Sequence, residues 1–395
     1  MIRRRGSSPA AALEDDDMLR EILLRLPPQP SSLPRASAVC KRWRGIVTDH
    51  GFLGRFRAHH LEPPLLGVFH HADKITFTPI LPAPDCITPP SLDNEGRLLG
   101  CRHGLVLILR WVRAEVLVCD PITGNQRCVP FPPKFKMGYI NGAVICAARD
   151  QGHVHGGCHS TPFKVVLLNI CAQDSPPLAS VYSSETETWG DLISAKVPCP
   201  SCSGGYISTL VGNVLYWSFQ FAKEGVLGFD LEKESLDVLE GPPDMNLSHS
   251  HQIMQAEDGT VGLAMLFPRY HNIQMWQRKV NCHGVATWVL SRIIEIHNIL
   301  GLPPRGEGEK ASLEFIKGHV EDTDVIFLYV RGSVYMVQLK SMQSMKLYET
   351  HNNITYCHSL KSFCVPGDCT SQSSYCRSNP IFLCIIRGCS NTFAR

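Results

Sequence analysis

The feature that most constrains this chain is a change of hydrophobic period at Pro63-Pro64. Before it, apolar residues recur at spacings of three and four, the spacing of one helical face. After it, short apolar runs alternate with turn residues, the pattern of strands joined by tight turns. A chain of 395 residues is also long for a single core. The expectation is multidomain: a small N-terminal α module and then a large all-β domain. Boundaries are expected at 13–60 for the helical module and 63–366 for the β domain. Residues 1–12 are expected to be disordered, and the Cys- and Ser-rich stretch 367–395 to be poorly ordered.

Leu13 to Leu26 reads as the first helix. Acids at its start (Glu14 to Asp17) favour the positive end of the helix dipole. Leu19, Ile22, Leu23 and Leu26 form one stripe, and Pro27-Pro28 ends the hydrogen-bond ladder. A second helix begins after Ser31 or Ser32, with Pro34 in its first turn. It carries Ala36, Val39, Cys40, Trp43, Ile46 and Val47 on one face, while Arg35, Lys41, Arg42 and Arg44 fall largely on the others. A third segment starts near Asp49 and presents Phe52, Leu53 and Phe56. Three short helices bury little, and the apolar surface exceeds what so small a core can hide. Such a surplus marks a protein-binding face.

From Leu65 onward the runs read as strands, among them Gly104–Leu109, Glu115–Cys119, Val165–Ile170, Val214–Phe219 and Val325–Val330. Polar turns centred on 120, 184 and 230 recur at separations of 64 and 46 residues. Propeller blades run to about 40–50 residues. The wider gap implies an insertion, for which Arg149–Ser160 is the candidate. The body is therefore expected to be a divergent β-propeller of six blades, with a β-sandwich as the alternative.

Charge and cysteine content narrow the function. Net charge is +2, with +5 in residues 1–60 and −3 in the remainder. This balance implies neither a nucleic-acid nor a membrane partner. No secretory signal or spanning segment is visible, so the protein is expected inside the cell, in nucleus, cytoplasm or both. Its 17 cysteines should then be reduced, with Cys119, Cys146 and Cys171 serving as small hydrophobes in strands. Cys199-Pro200-Ser201-Cys202 has half of a zinc spacing and no second pair. His153, His155 and His159 lie in a Gly-rich stretch that reads as a surface loop. Six cysteines between Cys357 and Cys389, near His351 and His358, read as part of a tail. Neither a phosphate loop nor a nucleophile elbow is present. Asp120, Asp230 and Glu232 sit at turns, where Asp bonds its own backbone. No catalytic residue, metal or cofactor is expected.

The stretch Leu19-x-x-Ile22-Leu23-x-x-Leu26-Pro27, followed by Ala38-Val39-Cys40-Lys41-Arg42-Trp43, resembles the F-box of plant proteins, particularly the large grass families. Where many F-boxes have proline after the first leucine, this chain has Glu14. The body is similar to the F-box-associated propeller, through Cys101-Arg102-His103-Gly104-Leu105 and the Asp-Pro-x-Thr-Gly turn at Asp120–Gly124. The resemblance implies a substrate adaptor of a Skp–cullin–F-box ubiquitin ligase. It would bind a Skp-type linker, and through it a cullin–RING ligase, by Leu13, Leu19, Ile22, Leu23, Leu26, Pro27, Leu33, Val39, Cys40 and Trp43. The propeller would hold the target protein on its rim. The alternatives are a binding module with a decayed F-box and an enzyme built on the propeller.

Overall fold

The computed structural model describes residues 15–71, 74–92, 95–135, 138–149, 152–159, 161–170, 175–196, 207–218, 225–248, 250–268, 271–302, 314–350 and 356–364. The expected disordered start, the tail after 366 and the Cys199/Cys202 pair lie outside these residues.

Among the described residues four helices come first, not three: α1 (Asp16–Leu24), α2 (Ser32–Ser37), α3 (Lys41–Val47) and α4 (His50–His60). Asp15 caps α1 by accepting from the amide of Asp17, and Asp49 caps α4 by accepting from that of Phe52. The expected second helix breaks at Val39-Cys40. Ala38 and Val39 donate to the carbonyls of Arg35 and Ala36, so the last turn tightens into 3₁₀ geometry and stops. Cys40 is extended, with φ −163° and ψ 170°. Val39 and Cys40 therefore leave the apolar stripe on which one continuous helix would have kept them.

Among the described residues twenty-four strands follow, arranged in six antiparallel sheets. Five sheets are built in sequence order: β3 (Arg97–Arg102) to β6 (Gln126–Pro130), β7 (Tyr139–Cys146) to β11 (Ile193–Ser194), β12 (Thr209–Val211) to β15 (Ser235–Glu240), β16 (Ser250–Gln255) to β19 (Ala286–Glu295), and β20 (Glu314–His319) to β23 (Gln343–Glu349). The sixth joins the two ends of the domain. β1 (Leu65–His71) pairs on one side with β2 (Ile75–Pro79) and on the other with β24 (Cys357–Lys361), Phe69 facing His358. Ring closure thus rests on a strand from each end of the domain, and this last blade has three strands.

The apolar core follows the same plan. Separate buried clusters fill the six interfaces between successive sheets, such as Leu107 with Val144 and Leu167, or Trp217 with Val166 and Phe229. This ring of inter-sheet cores is that of a six-bladed β-propeller and does not favour the sandwich. The turns expected near 120, 184 and 230 are equivalent hairpins, each joining the third and fourth strands of its blade. Asp120 accepts from the amides of Ile122 and Thr123, and Asp230 from those of Glu232 and Lys233. The insertion is the loop between β7 and β8 (Phe163–Ile170). No helix among the described residues is long and apolar enough to cross a membrane.

Candidate functional site

The helical module has its own core, of Leu19, Leu23, Leu24, Leu33, Ala36, Ile46, Val47, Phe52, Leu53 and Phe56. Two residues of the propeller complete it: Phe363, just after β24, and Val154, in the β7–β8 loop. The residues expected to bind a linker therefore divide by exposure. Leu19, Leu23 and Leu33 are buried inside the module, and Leu26 and Trp43 are half-buried against it. Ile22, Pro27, Val39 and Cys40 face outward, with Ile22 40% and Val39 61% exposed. Leu13 lies outside the described residues. Met18, one turn before Ile22 on α1, was not among the expected residues and is 49% exposed. Arg42 pairs with Asp16 at 2.6 Å, which sets the start of α3 beside the start of α1. Met18 and Ile22 are thus exposed one turn apart on α1, and Val39 and Cys40 are exposed in the break just before α3.

The module sits at one mouth of the propeller. Leu61 to Pro63 line a cavity of about 390 Å³ together with His103, Gly104, Val154, Glu321, Asp322 and Lys361. His103 and Gly104 form the tight turn between β3 and β4 (Leu105–Arg110), and both have positive φ, 54° and 83°. Glycine meets that demand without strain. Just inside the mouth, Arg102 crosses the channel. Its Nε donates to Glu321 Oε2 at 2.8 Å and its Nη2 to the Ser208 carbonyl at 2.9 Å, while Glu321 Oε1 accepts from the Leu210 amide at 3.0 Å. Three blades are tied at one point. Burial raises the Glu321 pKa, but Arg102 outweighs it and holds the carboxyl down at about 2. Burial keeps the neighbouring His319 and His358 neutral, at about 4 and about 3. The channel's charges are thus engaged with one another.

The β7–β8 loop fills the angle between module and propeller. The Gly156 carbonyl accepts from the Phe363 amide at 2.7 Å and from Ser362 Oγ at 3.0 Å. Gly156 lies against Pro63, and Gly157 against the Arg57 guanidinium of α4. This loop is not the free surface loop expected. Its histidines also part company: His159 Nδ1 bonds Asp120 Oδ2 at 2.7 Å, whereas His153 and His155 turn toward Cys146 and Cys158. Cys146, expected to act as a small strand hydrophobe, faces this polar cluster. The hydrogen bond from Cys158 and those of His155 and Thr161 outweigh burial and hold the Cys146 thiol well below its usual range. The same bond and burial push Cys158 up. Cys171 lies outside the described residues.

Comparison with known proteins places this architecture. The model of the family described as "F-box protein AT5G49610-like, beta-propeller" matches residues 97–365, more than half of the chain, and the F-box domain model matches residues 15–54. The chain belongs to this F-box and β-propeller family. Among curated proteins it is similar to the F-box/kelch-repeat protein At3g61590 of Arabidopsis thaliana, 28% identical over 216 residues. That match covers 52% of this chain and 51% of the relative, so the chain spans about half of the relative's length. Among solved structures, the extracellular domain of a one-component system from B. thetaiotaomicron aligns with a TM-score of 0.33 and 14% identity, over 67% of this chain and 30% of that one. The F-box of this plant-type protein is thus seated on the mouth of its own propeller.

Proposed function

We propose that this F-box protein is a non-catalytic substrate adaptor of a Skp–cullin–F-box-type ubiquitin ligase, working inside the cell. The observation that carries the reading is the outward apolar side of the F-box. Met18, Ile22, Val39 and Cys40 are exposed on a module whose core is already filled by other residues. Such a surface gains by being covered, and a Skp-type linker is the partner the family implies. Leu19, Leu23 and Leu33 would act beneath it by holding the helices in place, while Pro27, Leu26 and Trp43 would flank it. The propeller would carry the target protein on the face away from the F-box, where the β4–β5 turn exposes Trp111 and Val112. β5 is Glu115–Cys119. The adaptor would act by proximity, raising the effective concentration of target lysines near activated ubiquitin.

The test is co-purification of the full chain with a plant Skp-type linker. Ile22→Asp combined with Val39→Asp places charge on the outward face, so the variant should fold as the wild type does, checked by circular dichroism, and lose the linker. Leu23→Asp would be a poor probe, because it buries a charge in the core and unfolds the module. A well-folded wild type that captures no linker would leave the chain as a propeller binding module with a decayed F-box.

A further inference from the structure

Four potential metal ligands converge where the β7–β8 loop meets the end of β7. The ligand atoms of Cys146, His153, His155 and Cys158 all lie within 4.8 Å of one another. His153 Nε2 is 3.4 Å from Cys146 Sγ and 3.3 Å from Cys158 Sγ, and His155 Nδ1 is 3.8 Å from Cys158 Sγ. Zinc bonds of about 2.3 Å to sulfur and 2.0–2.1 Å to nitrogen, at tetrahedral angles, put sulfur and nitrogen about 3.6 Å apart. The observed separations scatter around that value. Hydrogen bonding alone accounts for them poorly. A single imidazole nitrogen has one proton or one lone pair, yet His153 Nε2 stands almost equally close to two sulfurs. A cation between the four atoms satisfies all of them at once.

We propose that Cys146, His153, His155 and Cys158 form a structural zinc site that clamps the β7–β8 loop against the F-box. The two-thiolate, two-imidazole set is the soft set that selects zinc over magnesium or calcium. On binding, the protons that the two sulfurs still hold pass to solvent, and two thiolates balance the charge of the divalent ion. The complex is then neutral, which suits a half-buried place. Outer groups orient the ligands as such sites require. The Ala148 amide donates to Cys146 Sγ at 3.5 Å, and Thr161 Oγ1 lies 3.3 Å from the same sulfur. The His103 ring stacks on His155 at 3.6 Å and 7°, and His103 Nδ1 accepts from the Cys146 amide. The clamp has a consequence for the whole molecule. The segment between His153 and Cys158 carries Val154, which enters the F-box core, and Gly156, which holds Phe363.

The full chain, purified under reducing conditions, should carry one zinc per molecule by elemental mass spectrometry. Cobalt in its place should show the visible bands of a tetrahedral, thiolate-ligated ion. Cys146→Ser with Cys158→Ser should abolish both signals, whereas serine at the exposed Cys128 and Cys282 should leave them. Should the double serine variant misfold, His155→Ala serves instead. His155 is exposed, so the variant should keep its circular dichroism and bind cobalt at least about tenfold more weakly. Three results would overturn the proposal: a folded wild type that takes up neither zinc nor cobalt, metal retained at full affinity by these ligand variants, or a native Cys146–Cys158 disulfide.

Discussion

At the scale of single residues, the acid behaviour of the channel follows from burial. His319 and His358 lie beside the Arg102–Glu321 pair, and His251 is buried in β16. Burial takes all three from the ordinary 6.5 to about 4, about 3 and about 4 respectively. An unfolded chain protonates these rings near 6.5, and the folded chain only at the lower values. Between them the unfolded state binds more protons, so stability falls as pH falls. Glu321 adds the same sign lower down, between its ordinary 4.5 and about 2. The denaturant midpoint should therefore drop from pH 7 to pH 5, and His319→Leu should flatten that limb. A midpoint that does not move over this range would refute the account. The sequence showed only part of this. Asp120 and Asp230 were legible as turn residues because their partners are two and three residues away. Arg102 and Glu321 were not, because 219 residues separate them and only ring closure brings them together. The zinc ligands were half legible: the histidines stood out, but their spacing from Cys146 matches no familiar pattern.

At the scale of elements, periodicity distinguished helix from strand but could not see interruptions. Ala36, Val39, Trp43 and Ile46 fit one helix by spacing, and the break at Cys40 depends on local bonds. The Ser37 hydroxyl donates to the Pro34 carbonyl at 2.6 Å, and Arg44 Nε reaches the Ser37 carbonyl at 3.4 Å. The Pro34 carbonyl also keeps its helical bond from the Ala38 amide, whereas the Arg44 bond satisfies a carbonyl that a continuous helix would have used. Strand irregularities are hidden in the same way. β20 has a bulge between Ile316 and Gly318, and Gly318 has φ +151°. A Cβ there would stand 2.2 Å from the Cys357 carbonyl of β24. Gly318 thus lets two inner strands meet beside the seam where the ring closes. Gly318→Ala should cost more than about 2 kcal/mol, through strain and displaced backbone. Urea unfolding would measure it, and a loss under about 0.5 kcal/mol would show that the seam tolerates a wider spacing.

At the scale of the molecule, the two domains were legible in the sequence but their union was not. The period change at Pro63-Pro64 suggests two bodies on a linker. The folded chain instead has one shared core at their junction, because Phe363 lies near the end of the strand that closes the ring and inserts into the F-box. Its ring meets Phe56 edge-on at 6.5 Å, and it is almost wholly buried. A helical module of this size holds little apolar area of its own, so one borrowed aromatic is a large share of its stability. Phe363→Ala should cost about 3–5 kcal/mol, the range for emptying a buried aromatic site. The loss should fall unevenly. Ring closure uses β1 and β24, which the substitution leaves in place, whereas α1 and α4 lose the side chain they close upon. Hydrogen exchange should therefore quicken in α1 and α4 while β4 and β8 keep their protection. Equal quickening throughout would mean that F-box and propeller unfold as one cooperative unit. Unchanged exchange in α1 and α4 would mean that the F-box holds itself together and the propeller only positions it. The proposed adaptor role would gain from a rigid junction, since a fixed angle between the proposed linker-binding and target-binding faces would narrow the volume in which target lysines are presented.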